Sequence, residues 1–264
     1  MENYTEINSK AIDSWNAESG GWVWGTMLTK EECDRVRVGD WSVLLTPTKP
    51  VPKDWFVPFK DAKILGLASG GGQQMPVFSI LGAKCTVMDI TPSQLESERL
   101  AAEREGYEIE IVKADMTKKF PFADSAFDLI FHPVSNCYIE EVQHVWNECY
   151  RVLKPGGVLL SGLGNELNYL IEDIDGAEHE MPLKISTKLP WNPLRNPAHM
   201  PKNPETDSLQ FSHGFEEQIG GQLKAGFVLT AAYEDYNGYE NSFSKLNIPT
   251  FWATKAVKLA KLLR

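Results

Sequence analysis

Three glycines in a row, Gly70–Gly72, close an apolar run in the stretch "ILGLASGGGQQ", residues 64–74. A backbone without side chains can come close to a ligand. The run reads as a buried strand and the residues after it as a helix, so the turn lies where open α/β sheets bind small molecules. Asp89 ends the next apolar run, "KCTVMD", 17 residues after Gly72. A carboxylate at that place can accept hydrogen bonds from both hydroxyls of a ribose, which points to an adenosine-type cofactor. A Walker loop needs a lysine followed by Ser or Thr, and "SGGGQQMP" has neither, so a nucleoside triphosphate does not fit. A dinucleotide fingerprint wants a third glycine where Met75 stands.

The elements that must hold these residues follow in order. "AKILGLA", "KCTVMD", "YEIEIVKAD", "FDLIFHP" and "GVLLSG" read as strands. Between them lie helical stretches: "QQMPVFSILG", ending at Gly82; "TPSQLESERLAAEREG"; and "IEEVQHVWNECYRVLKPGG", stopped by Pro155 and Gly156. The second has Thr91 as N-cap, Pro92 in the first turn, Gln94 to complete a capping box and Gly106 as stop. "FEEQIGGQLKAGF" predicts a last helix before two strands, "FVLTAAYEDY" and "PTFWATKAVK", expected to pair antiparallel. Strands alternating with helices predict a mostly parallel sheet.

Two regions depart from this rhythm. Residues 1–60 form an aromatic-rich extension with five of the eight tryptophans. It holds a short helix over about 30–38, opened by the Thr29/Glu32 box, and a proline-rich connector. Residues 163–212 are an irregular, proline-rich insert in the domain that runs over 61–264, and such inserts commonly serve as lids.

"ILGLASGGG", "VMDITPSQLE", "VKADMTKKFPFADSAFDLIFH" and above all "VWNECYRVLKPGGVLLSG" resemble the class I S-adenosylmethionine-dependent methyltransferases. The resemblance covers about residues 60–162 and, more loosely, the last two strands. It implies a Rossmann-like, doubly wound α/β fold with a mostly parallel seven-stranded sheet and an antiparallel final strand. It also implies methyl transfer from S-adenosylmethionine to a small-molecule acceptor. Ser69 and Gly70 would meet the amino-acid part of the cofactor, Gly72 would belong to the same cofactor-binding turn, and Asp89 would meet the ribose. Asp115 would meet the adenine amino group, with Met116 beside the ring. His132, after the fourth strand, becomes the candidate base, since an ordinary imidazole titrates near neutrality. Asn136 and Tyr138 in the loop behind it, with Trp22 and Trp24 of the extension, become acceptor-side candidates. Gly66 stands where the family usually has an acid that helps hold the ammonium of the cofactor. Two other readings stay open: a cofactor-binding sensor without turnover, and an NAD(P)-dependent oxidoreductase.

The rest of the composition narrows the field. The formal net charge is −10, against the basic footprint of a nucleic-acid binder. Cys33, Cys85, Cys137 and Cys149 make no CxxC pair and fit no zinc spacing, so no metal is expected. Reduced thiols, a polar N-terminus and no apolar run near about 20 residues predict a cytoplasmic protein with no membrane span.

Overall fold

The computed structural model describes residues 3–18, 26–170, 184–203, 206–238 and 241–260. Seven strands form one sheet: β1 (Lys63–Leu67), β2 (Lys84–Asp89), β3 (Ile109–Lys113), β4 (Phe127–His132), β5 (Leu153–Gly164), β6 (Val228–Asp235) and β7 (Phe251–Val257). Their order is β3-β2-β1-β4-β5-β7-β6. The first five pair in parallel, and β7 runs antiparallel to both β5 and β6. The order reverses between β1 and β4, which places a crevice at the carboxyl ends of those strands.

Alternation along the strands feeds two cores. Ile64 of β1 packs with Met75, Phe78, Val87, Leu129 and Phe131 on one face. Leu65 and Leu67 pack with Met88, Ile130, Val145, Trp146 and Leu159 on the other. Burial on both faces is why these strands read as continuous apolar runs.

The helices are α1 (Tyr4–Ala17), α2 (Lys30–Arg37), α3 (Met75–Ile80), α4 (Pro92–Glu105), α5 (Gln143–Val152), α6 (Gly221–Ala225) and α7 (Ser242–Lys245). The Thr29/Glu32 capping box is formed, and Gly106 ends α4 in the left-handed region at φ 72°. Three expectations are corrected. The Thr91 side chain makes no cap bond. Asp89 and Asp13 accept the Thr91 and Ser93 amides instead, each at 2.9 Å. The helix before "KPGG" stops at Val152, because Leu153 already pairs with Phe127 and "LKPGG" opens β5. The last helical stretch begins as a π-turn over Glu216–Gly220, where Trp146 Nε1 donates to the Glu217 carbonyl at 3.0 Å.

The extension has a helix that periodicity did not predict. α1 buries Thr5, Asn8, Ser9, Ala11 and Ile12, and its polar side chains bond to the segments that follow the strands. Asn8 accepts from the Leu209 amide and donates to the Tyr138 and Leu209 carbonyls. Further along, the extension passes over β5 so closely that a Cβ on Gly162 would lie 1.9 Å from the Leu45 carbonyl oxygen. That oxygen accepts the Val134 amide at 3.2 Å. Gly162→Ala should therefore push residues 43–51 off the sheet at a cost of about 1–3 kcal/mol. Denaturant titration with hydrogen exchange over 43–51 checks this; wild-type stability and exchange would contradict it.

Candidate functional site

A cavity of about 1030 Å³ opens at the crevice between β1 and β4. Ligand pockets run to roughly 300–1,000 Å³, so this one has room for a nucleoside cofactor and an acceptor together. Ser69, Gly70, Asp89, Asp115, Met116 and Tyr138 all line it. Gly72, His132 and Asn136 do not, and Trp22 and Trp24 lie outside the described residues.

The glycine turn is held from within. Gly70 N–H donates to Asp89 Oδ2 at 3.2 Å, Gly71 N–H to the Gln94 carbonyl at 3.0 Å, and Gly72 N–H to Glu98 Oε1 at 2.9 Å. A pyrophosphate site would turn such amides toward the ligand. Here all three are spent on the β2–α4 unit, beside two carboxyl groups, which argues against a dinucleotide.

Asp89 fits a ribose. Its oxygens accept one amide each, from Thr91 and Gly70. A carboxylate has about four acceptor positions, so two remain for vicinal hydroxyls. Burial pushes its carboxyl up, against the pull of the backbone amides. Asp115 follows the same logic after β3. Oδ1 accepts the Thr117 amide at 2.8 Å and Oδ2 accepts the Thr5 hydroxyl at 2.9 Å, leaving room for an amino donor. These residues and the Met116 side chain, which also lines the cavity, suit S-adenosylmethionine.

The position of Gly66 has a steric reason. A Cβ there would lie 2.7 Å from Met75 Sδ, and Met75 is fully buried. The thioether fills the space that an acidic side chain on β1 would need. Nearby, Ser69 Oγ donates to Gln74 Oε1 at 3.0 Å.

His132 stands behind the wall. It is fully buried, with Nδ1 3.0 Å from the Leu67 carbonyl and Nε2 2.9 Å from the Asn136 carboxamide. Burial pushes its pKa down. In this geometry it ties β4 to β1 and to the 135–138 loop, and it offers the cavity no free nitrogen. Asn136 is likewise turned inward, toward Gln218 at 3.0 Å.

Sequence reasoning did not find several residues at the site. Thr5 meets Asp115. Tyr169, Gln210 and Phe211 from the insert, and His213 just past it, also line the cavity. His213 Nε2 is taken by the Asn136 and Ile139 carbonyls at 3.0 and 2.9 Å. Glu98 lies on the buried stripe Gln94, Leu95, Glu98, Ala101 and Ala102 of α4, and that spacing was the available signal.

A nucleoside-binding α/β fold, with acids after the second and third strands and a glycine turn after the first, is the class that this sheet and cleft define. Comparison with known proteins narrows it. A family model described as a methyltransferase domain matches residues 65–161. The uncharacterized methyltransferase YbaJ of Bacillus subtilis is 41% identical over 255 residues, 96% of this chain and 97% of that one. The ubiquinone/menaquinone biosynthesis C-methyltransferase UbiE of Cereibacter sphaeroides is 35% identical over 118 residues, 42% of this chain and 46% of that one. An S-adenosylmethionine-dependent methyltransferase structure from Mesorhizobium loti shares the fold, with TM-score 0.59 and 16% identity over 78% of this chain and 94% of that one. The chain belongs to the class I S-adenosylmethionine-dependent methyltransferases.

Proposed function

We propose that this methyltransferase acts on an uncharged small molecule. The charge distribution of the cavity carries the reading. Among the described residues, its charged lining is Glu32, Asp89 and Asp115, with no lysine or arginine. Acids suit a cationic cofactor, and the described lining offers no lysine or arginine to pair with a phosphate or carboxylate on the acceptor, while the His213 imidazole keeps its Nε2 at the Asn136 and Ile139 carbonyls. The rest of the lining is neutral: Val43, Leu44, Val134, Tyr169 and Phe211 give apolar contact, and Gln210 and Gln218 give hydrogen bonds.

In this reading Asp89 holds the ribose, Asp115 and Met116 the adenine, and Ser69 and Gly70 face the amino-acid end. Gly72 supports the turn from behind. The described parts of the extension (residues 3–18 and 26–60) and of the insert (163–170, 184–203 and 206–212) are the covers of the site. Free thiols at all four cysteines fit a cytoplasmic setting. No described helix is long and apolar enough to cross a membrane.

Bound S-adenosylmethionine supplies a methyl group already activated on a sulfonium. The protein then has to exclude water and align the acceptor for in-line attack. Burial pushes the Tyr138 and Tyr169 phenols well up and the Cys137 thiol up to about 12, so these groups stay protonated at neutral pH. They can donate hydrogen bonds that orient the acceptor, and the acceptor brings its own nucleophilicity.

The test is methyl transfer from labelled cofactor to a panel of matched neutral and anionic acceptors, followed by mass spectrometry. Turnover should be confined to neutral acceptors; preference for the anionic members would overturn the reading. With the best acceptor, the rate should show no limb near pH ~6.5, where an ordinary histidine titrates. A limb there that a His132 substitution removes would contradict the positioning role.

A further inference from the structure

The amide of Gly72 is buried at the back of the turn, where the residue has φ 74°. Its acceptor is a side chain from another element, Glu98 of α4, at 2.9 Å. Glu98 is completely buried, and its second oxygen, Oε2, has no hydrogen-bond partner among the described residues. An apolar side chain would fill that place without the cost of burying a carboxyl. What only an acceptor can do there is satisfy Gly72, because a buried amide without a partner is expensive. Gly66, in the strand before the turn, brings no side chain, and a Cβ there would lie 2.7 Å from Met75 Sδ. The other face of Gly72 is closed as well. Its carbonyl accepts the Leu28 amide at 2.9 Å, and a Cβ on it would meet Met27 Cγ at 2.8 Å.

We propose that Glu98 is the positioning residue for cofactor binding: from α4 it fixes the glycine turn, and through Gly72 the covering residues 26–28, in the shape that receives the cofactor. The proposal rests on the assignment of this cleft to S-adenosylmethionine. Glu98 touches no ligand. It acts through the conformation of Gly70–Gly72 and of the Thr26–Leu28 segment that leans on them. In the same way Gln94 contributes its carbonyl to Gly71, so one helix governs two of the three turn amides.

The experiment compares wild type, Glu98→Gln and Glu98→Leu by calorimetric titration with S-adenosylhomocysteine, with Asp89→Ala as control. The glutamine oxygen can still accept from Gly72, so Glu98→Gln should bind within about threefold of wild type. Glu98→Leu loses the acceptor and should bind about tenfold or more weakly while remaining folded by circular dichroism. Equal binding by the leucine variant, or equal weakening by both variants, would overturn the proposal. Absence of binding to wild type, or an unaffected Asp89→Ala, would instead overturn the cofactor assignment. Should Glu98→Leu not fold, Glu98→Ala and Glu98→Gln are compared by hydrogen exchange over residues 68–75. Faster exchange in the alanine variant alone supports the role, and equal exchange in both refutes it.

Discussion

Replacing Asp89 with alanine should weaken S-adenosylhomocysteine binding by about 100-fold or more. Two ribose hydroxyls would each lose a hydrogen bond to a charged group, worth about 1.5–3 kcal/mol apiece. The amides of Gly70 and Thr91 would lose their acceptor too, so the turn and the first residues of α4 would loosen together. Asp89→Asn keeps one side-chain oxygen and should cost less. Calorimetric titration of the three proteins gives the ranking wild type, Asn, Ala. An alanine variant that binds like wild type would place the ribose elsewhere.

The second large effect is a pH dependence of stability from Glu98. Burial pushes this carboxyl up from 4.5 to about 8, with the charge of Asp89 adding to the rise. Around it stand Asp89 and Cys85 of β2 and Tyr107 just beyond α4, and the Gly72 amide is the group that pulls the other way. Between those two values the unfolded chain has released the proton and the folded chain still holds it. Stability must therefore fall as pH rises through the window, with the penalty complete by about pH 8. Glu98→Gln has no such proton. Its stability relative to wild type should rise by roughly 3–5 kcal/mol between pH ~5 and ~8.5. Urea titrations of both proteins at several pH values measure the difference. Parallel stability curves would show that Glu98 titrates as an exposed acid does.

The order of the central strands was legible because β1, β2, β4 and β5 are buried on both faces, and α4 was legible because Pro92 opens it and Gly106 closes it. That Gly70, Asp89 and Asp115 come together at one cavity was legible because each lies at or just past the end of one of the first three strands. What escaped was carried by buried polar contacts. α1 hides Thr5, Asn8 and Ser9 rather than a row of leucines, so hydrophobic periodicity passes over it. His132 sits where a catalytic base could stand, at the end of β4. Only the folded arrangement shows that the Leu67 carbonyl and Asn136 close both its nitrogens. Glu98 looks in sequence like its neighbours Glu96 and Glu103, which are exposed and paired with Arg99. Its different fate comes from the helical stripe it shares with Leu95 and Ala102. The Thr91 box failed for a related reason: Asp89 takes the Thr91 amide that the Gln94 side chain would have accepted, and Asp13 takes the Ser93 amide in the same turn.

The central claim is that the cleft takes a nucleoside cofactor while the glycine turn keeps its amides for the protein. A crystal structure of the complex with S-adenosylhomocysteine tests it most directly. The account predicts the ribose hydroxyls within hydrogen-bond distance of Asp89 and the adenine amino group at Asp115. It also predicts Gly70, Gly71 and Gly72 still donating to Asp89, Gln94 and Glu98. A ligand bound away from Asp89, or a turn whose amides have swung round to the ligand, would contradict it.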